Sequence, residues 1–196
     1  MMPRLQLHTY WANPDPVNAA ETYSAPGTEK RSKYLIDIVT NLNITTRARI
    51  LEIGCNTGRN LYALKQAGYN NLSGIEISNR AIQVGKAKYG DLGTIYNISV
   101  ESILPLIPPG NYDLVFSMAV FEHISPESNF IFKDISVICD KYIVTIEDEE
   151  HDTDRHCARN YGDIFSKLDM QQIFAERTPE DLDMGPGFVT RVMEKR

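Results

Sequence analysis

Ile50-Leu51-Glu52-Ile53-Gly54-Cys55-Asn56-Thr57-Gly58-Arg59-Asn60-Leu61 is the stretch that decides the fold. A short apolar run breaks into a glycine turn, and apolar residues then resume at Leu61 and Leu64. This reads as a buried parallel strand, a turn and a helix. In an open α/β sheet, the crevice at the carboxyl end of such a strand is where a cofactor docks. Gly54 permits backbone angles closed to residues with a Cβ, and Gly58 lets the helix press close to the sheet and to a ligand. Tight strand-to-helix turns use glycine for structural reasons too, so this pair alone does not settle function.

Two phosphate-binding motifs fail at this turn. The dinucleotide fingerprint G-x-G-x-x-G needs glycine where Asn56 and Arg59 stand. A P-loop needs Gly-Lys-Ser/Thr, and this turn closes with Gly58-Arg59-Asn60. Further on, Leu72-Ser73-Gly74-Ile75-Glu76-Ile77 reads as the next parallel strand. It puts Glu76 at a strand's carboxyl end, where a carboxylate can accept both hydroxyls of a ribose.

Joined by Tyr112-Asp113-Leu114-Val115-Phe116-Ser117 and Phe121-Glu122-His123-Ile124, these segments resemble the class I S-adenosylmethionine-dependent methyltransferases. The likeness is to the type-11-like domains that act on small molecules, and it covers about residues 30 to 196. It departs at Asn56, which replaces the middle glycine of G-x-G-x-G; asparagine tolerates left-handed angles better than most residues. The resemblance implies a Rossmann-like fold with a seven-stranded, mostly parallel sheet, an antiparallel last strand and helices on both faces. It implies S-adenosylmethionine as cofactor. Glu52 and the backbone from Gly54 through Cys55 and Asn56 to Gly58 would then face its methionine part, with Asn60 a further cofactor contact. Glu76 and Ile77 would take the ribose and adenine edge, Ser99 and Val100 the adenine, and Ser117 and Met118 the sulfonium end. Ser99 stands where the family often has aspartate, which shifts weight to the backbone of Val100.

Length and composition suit one such domain. With 196 residues and 42% apolar content the chain can bury a full core but leaves no room for a second domain of ordinary size. A net charge of −6 without a dense basic run disfavours a nucleic-acid partner. Three cysteines, Cys55, Cys139 and Cys157, have no metal-type spacing and suit reduced thiols. With no signal peptide or membrane span legible, a cytoplasmic protein without a membrane partner is expected.

Strands are expected at about 49–53, 72–76, 94–98, 112–116 and 141–146, then at Met170 to Phe174 and Gly187 to Glu194. Leu35, Ile38 and Leu42 mark a helix from about Thr28. Ser78 is placed to cap the helix after Glu76, and Ser125-Pro126 to start one that buries Ile131, Ile135 and Ile138. Tyr161 to Leu168 looks helical.

His123 is the candidate catalytic base. Methyl transfer from a sulfonium is an in-line displacement by an activated donor, so the protein mainly aligns the acceptor and removes its proton where necessary. The Glu-His pair recurs across the family on unlike substrates, which favours a positioning duty instead. Some relatives, the ubiquinone-pathway O-methyltransferases and small-RNA 3′-end methyltransferases, hold a divalent ion with E-x-x-E-H. Here Ala119 replaces the first carboxylate, so no metal is expected; any ion would fall to Glu122, His123 and His156. The acidic run from Glu147 to Asp154 reads mostly as a solvated loop, with His151 and His156 its members facing the pocket.

Residues 1–27 show no periodic pattern but carry Tyr10, Trp11 and Tyr23 among several prolines. They read as a lid over the cofactor and acceptor, or as an arm packed on the domain or on a second subunit; residues 28–196 form the domain itself. Three functions remain: transfer to a small-molecule acceptor such as a sugar or another hydroxylated metabolite, transfer to RNA or protein, or a non-catalytic cofactor-binding subunit.

Overall fold

The computed structural model describes all 196 residues. Seven strands form one sheet: β1 (Arg49–Ile53), β2 (Asn71–Glu76), β3 (Thr94–Asn97), β4 (Tyr112–Met118), β5 (Cys139–Asp148), β6 (Met170–Arg177) and β7 (Phe188–Lys195). Their order is β3-β2-β1-β4-β5-β7-β6. The first five run parallel, and β7 inserts antiparallel between β5 and β6. The reversal at β1, with β2 on one side and β4 on the other, opens the crevice expected at a topological switch point.

The central strands are mainly apolar because helices cover both faces. Ile50, Leu114, Phe116 and Val144 pack on one side with Leu35 and Val39 of α2 (Glu29–Asn41) and Leu61 and Leu64 of α3 (Arg59–Gln66). Leu51, Ile53, Val115 and Ile143 pack on the other with Ile131, Ile135 and Ile138. Ser78 caps α4 (Asn79–Tyr89) by accepting from Ala81 N at 3.3 Å. No helix is long and apolar enough to cross a membrane.

Several boundaries differ from the sequence reading. Strands β4 and β5 extend two residues further at their carboxyl ends, and β6 runs on to Arg177. The Ser125 cap starts a separate turn of 3-10 helix at Pro126–Ser128, and the α-helix begins only at Ile131. The acidic run is less solvated than expected: Glu147 and Asp148 end β5 and are buried, and Glu149 pairs with Arg191 at 2.7 Å. Residues 1–27 are not patternless, since Arg4–Ala12 form a helix, α1. Its inward stripe of Arg4, Leu7, His8 and Trp11 has helical spacing but mixes charge with apolar surface, so hydrophobic periodicity alone cannot reveal it.

Candidate active site

The turn after β1 is built as its residues dictate. Gly54 and Gly58 have φ of +66° and +77°, and Asn56 adopts +48°. A Cβ on Gly54 would lie 2.6 Å from the Val120 side chain. Asn56 holds its left-handed place with its own amide, whose Oδ1 accepts from Thr57 N at 2.8 Å. Its backbone N donates to Glu76 Oε2 at 2.8 Å, while Glu76 Oε1 accepts from Ser78 N at 2.7 Å. Glu76 thus ties the ends of β1 and β2 together. Burial pushes its pKa above the usual carboxylate range.

A cavity of about 290 Å³ opens over this turn. Glu52, Gly54, Cys55, Asn56 and Asn60 line it from the β1 side. Glu76 and Ile77 line it from the end of β2 and just past it, Ser99 and Val100 from the start of α5 (Val100–Ile103), Met118 from the end of β4 and His123 from beyond it. Gly58 and Ser117 do not line it: Gly58 faces Leu92, and Ser117 is buried behind the wall. His151 and His156 are also outside the lining, correcting the expectation that they face the pocket. His156 instead packs edge-on against the His123 ring at 4.6 Å.

Residues 1–27 form the roof. Leu7, His8, Trp11, Asn18 and Tyr23 line the cavity from above. Trp11 packs on His123 at a tilt of 48° with ring centroids 4.3 Å apart, and His8 Nε2 meets Glu101 Oε1 at 3.0 Å. Arg155 lies 4.5 Å over the Tyr10 ring and 3.5 Å from Asp15, fastening the outer edge.

Glu52 is buried, and Asn60 Nδ2 donates to its Oε1 at 2.8 Å. Its Oε2 has no partner, and burial raises its pKa to about 8. This is a buried carboxyl group with no cation in ion-pair contact, at the place expected to face the methionine part of the cofactor. Cys55 is raised as well, by burial first and then by the neighbouring Glu52 and Glu76, so it is an inert thiol.

His123 Nδ1 donates to Arg155 O at 3.1 Å, which leaves the lone pair on Nε2. Burial, with His156 nearby, lowers its pKa to about 3. Its 3.7 Å approach to Glu122 is therefore no ion pair. Burial, and then the adjacent Glu147, keep the Glu122 carboxyl raised. Glu147 gathers the backbone N–H groups of Val120 and Phe121 on Oε2 at 2.8 and 2.9 Å. This fixes a loop whose Ala119 has a positive φ of 57°. Ligand atoms of Glu122, His123 and His156 lie within 4.8 Å of one another. As a centre for a hard ion the set is weak, because it offers a single carboxyl group, one oxygen of which already accepts from Asp148 N.

Sequence reasoning missed Arg4, His8, Arg59 and Glu101, all of which line the cavity. Arg59 alone had a readable signal: a cation at the first position of α3, where the helix dipole disfavours it.

Residues 51–140 match the family model described as a methyltransferase domain. A methyltransferase domain is therefore what this stretch, from β1 to the start of β5, is similar to. No curated protein matches the sequence significantly. Among solved structures it is similar to magnesium protoporphyrin IX methyltransferase from Synechocystis with bound S-adenosylmethionine, at 14% identity and a TM-score of 0.72 over 98% of this chain and 97% of that one. It is also similar to 1,6-didemethyltoxoflavin-N1-methyltransferase from Burkholderia thailandensis, at 11% identity and 0.70 over 98% and 86%. A third likeness is to a Haloferax volcanii methyltransferase complexed with the Trm112 activator, at 13% identity and 0.72 over 96% and 97%. At these identities the likeness is one of fold.

Proposed function

We propose that this chain transfers a methyl group from S-adenosylmethionine to a small-molecule acceptor enclosed beneath residues 1–27. The observation that carries this reading is the roof itself. It narrows the crevice to a cavity of about 290 Å³, just under the roughly 300–1,000 Å³ typical of small-molecule sites. An RNA or peptide substrate would call for an open groove, and the net charge of −6 offers no attraction to a polyanion. Two of the similar structures are named for porphyrin and toxoflavin substrates, which accords with a small acceptor.

The cofactor supplies an already activated methyl group on a sulfonium. Glu52 and Asn60 hold its amino-acid end, Glu76 its ribose, and the backbone around Ser99 and Val100 its adenine. His123 orients the acceptor: its neutral Nε2 accepts a hydrogen bond from the acceptor's O–H or N–H group, and the proton released on transfer leaves to bulk water through the cavity mouth, since a group with a pKa of about 3 cannot store it. Trp11 excludes water above it.

Labelled S-adenosylmethionine incubated with fractionated metabolite pools tests this reading. Label is expected in a low-molecular-weight product. Label entering only RNA or protein would overturn the small-acceptor reading, and cofactor binding without any transfer would favour a non-catalytic subunit.

A further inference from the structure

Arg59 is a guanidinium at the cavity wall with no carboxylate within ion-pair distance. Its Nε donates to Ser32 Oγ at 2.9 Å, its Nη1 to Tyr23 O at 3.0 Å and its Nη2 to Asn60 Oδ1 at 3.3 Å. All three acceptors are neutral. Nη2 also lies 3.6 Å from Met118 Sδ. The nearest carboxyl group on the cavity wall, Glu52, is occupied by Asn60 and is raised to about 8, so it is mostly uncharged at neutral pH. A cation drawn out of water without a counter-ion is unfavourable unless an anion completes it. Its place at the first position of α3 adds to the cost, since the N-terminal end of a helix already repels positive charge.

The cavity offers one position where such an anion fits. Arg59, Asn60, Glu52 and Met118 meet at a single end of it, the end assigned above to the amino-acid part of the cofactor. Resting on that assignment, we propose that Arg59 binds the α-carboxylate of S-adenosylmethionine and, through the carbonyl of Tyr23, makes closure of residues 1–27 depend on that carboxylate. The planar guanidinium can offer one edge to the carboxylate while keeping a donor on Tyr23, which a lysine ammonium cannot do with the same geometry. The cofactor thus serves as part of the latch. A nucleoside lacking the amino-acid tail would fill the adenosine subsite and leave the roof unfastened.

The test compares S-adenosylhomocysteine with its decarboxylated counterpart, which differs only in lacking the carboxylate, by calorimetry on the full chain. The wild-type protein should bind S-adenosylhomocysteine at least about tenfold more tightly. In Arg59→Gln the two affinities should converge to within about threefold. Limited proteolysis supplies the second readout: S-adenosylhomocysteine should slow cleavage within residues 1–27 of the wild type, and the decarboxylated ligand should not. Arg59→Lys covers the case in which glutamine disrupts the start of α3; it should keep most of the affinity difference and lose the protection. Equal wild-type affinities, or undiminished discrimination in Arg59→Gln, would overturn the assignment. Equal protection by both ligands would overturn the latch. A wild type that binds neither ligand refutes the cofactor reading beneath the proposal, and is distinguishable on that ground.

Discussion

Binding of the cofactor's ammonium group should expel a proton from Glu52. In the free protein this carboxyl has a pKa of about 8, so it is mostly protonated at pH 7. Pairing with a cation requires the carboxylate, and each pH unit below the pKa adds about 1.4 kcal/mol to the cost of binding. With S-adenosylhomocysteine, whose ammonium group stays charged through this window, affinity should fall about tenfold between pH 7 and pH 6. Calorimetry in buffers of different ionisation enthalpy should report release of close to one proton per ligand at pH 7. Glu52→Gln should remove both the slope and the proton. The same shift has the opposite slope in stability. Because the folded-state pKa lies above the ordinary 4.5, Glu52's contribution is full below pH 4.5 and is lost as pH rises through about 8, so the ligand-free protein should melt more easily at pH 8 than at pH 6. A pH-independent affinity in the wild type, with no dependence on buffer, would refute the reasoning.

Glu76→Ala removes an acceptor that holds the Asn56 and Ser78 amides, at a loss of roughly 1.5–3 kcal/mol, and should weaken cofactor binding about ten- to a hundredfold by calorimetry. Asn56→Ala should lower stability by about 1 kcal/mol in urea titrations and Asn56→Gly by much less, since only the alanine meets the penalty of a left-handed φ; equal losses would place the asparagine's value in its side-chain bond instead. Transfer should persist after exhaustive chelation, and loss of activity restored by manganese or magnesium would make Glu122, His123 and His156 ligands. Deleting residues 1–27 should leave a folded domain that binds S-adenosylmethionine within about an order of magnitude but turns over poorly. Full activity on the identified acceptor would show an arm, and failure to fold would show a part of the core.

The inner strands of the parallel half, β1, β4 and β5, were legible because they are largely buried and so read as mainly apolar runs. The glycine turn was legible because Gly54, Asn56 and Gly58 advertise backbone angles that few other residues adopt. The roof was not. Leu7 and Trp11 find their apolar neighbours in other elements, and their helix carries arginine and histidine on the same face, so no local pattern marks it. Glu147 misled for a related reason. In sequence it opens an acidic run, but its burial is set by the loop amides of Val120 and Phe121, which only the folded chain brings to it. His123 was legible as a cavity residue but not as a weak base, because its low basicity comes from burial and from the nearby His156 ring.

The floor of the cavity is contributed by loops after β1, β2, β3 and β4, scattered from Glu52 to Ser125, whereas most of its roof is one uninterrupted stretch at the start of the chain. The two halves therefore differ in how easily inheritance can alter them. A floor residue is bound to the sheet and to the cofactor, and changing it disturbs both. The roof can be lengthened, shortened or replaced as one contiguous segment, with the donor machinery untouched. New acceptors could be recruited in this way without redesign of the chemistry, and an experimenter can copy the manoeuvre by grafting a different leading segment onto residue 28.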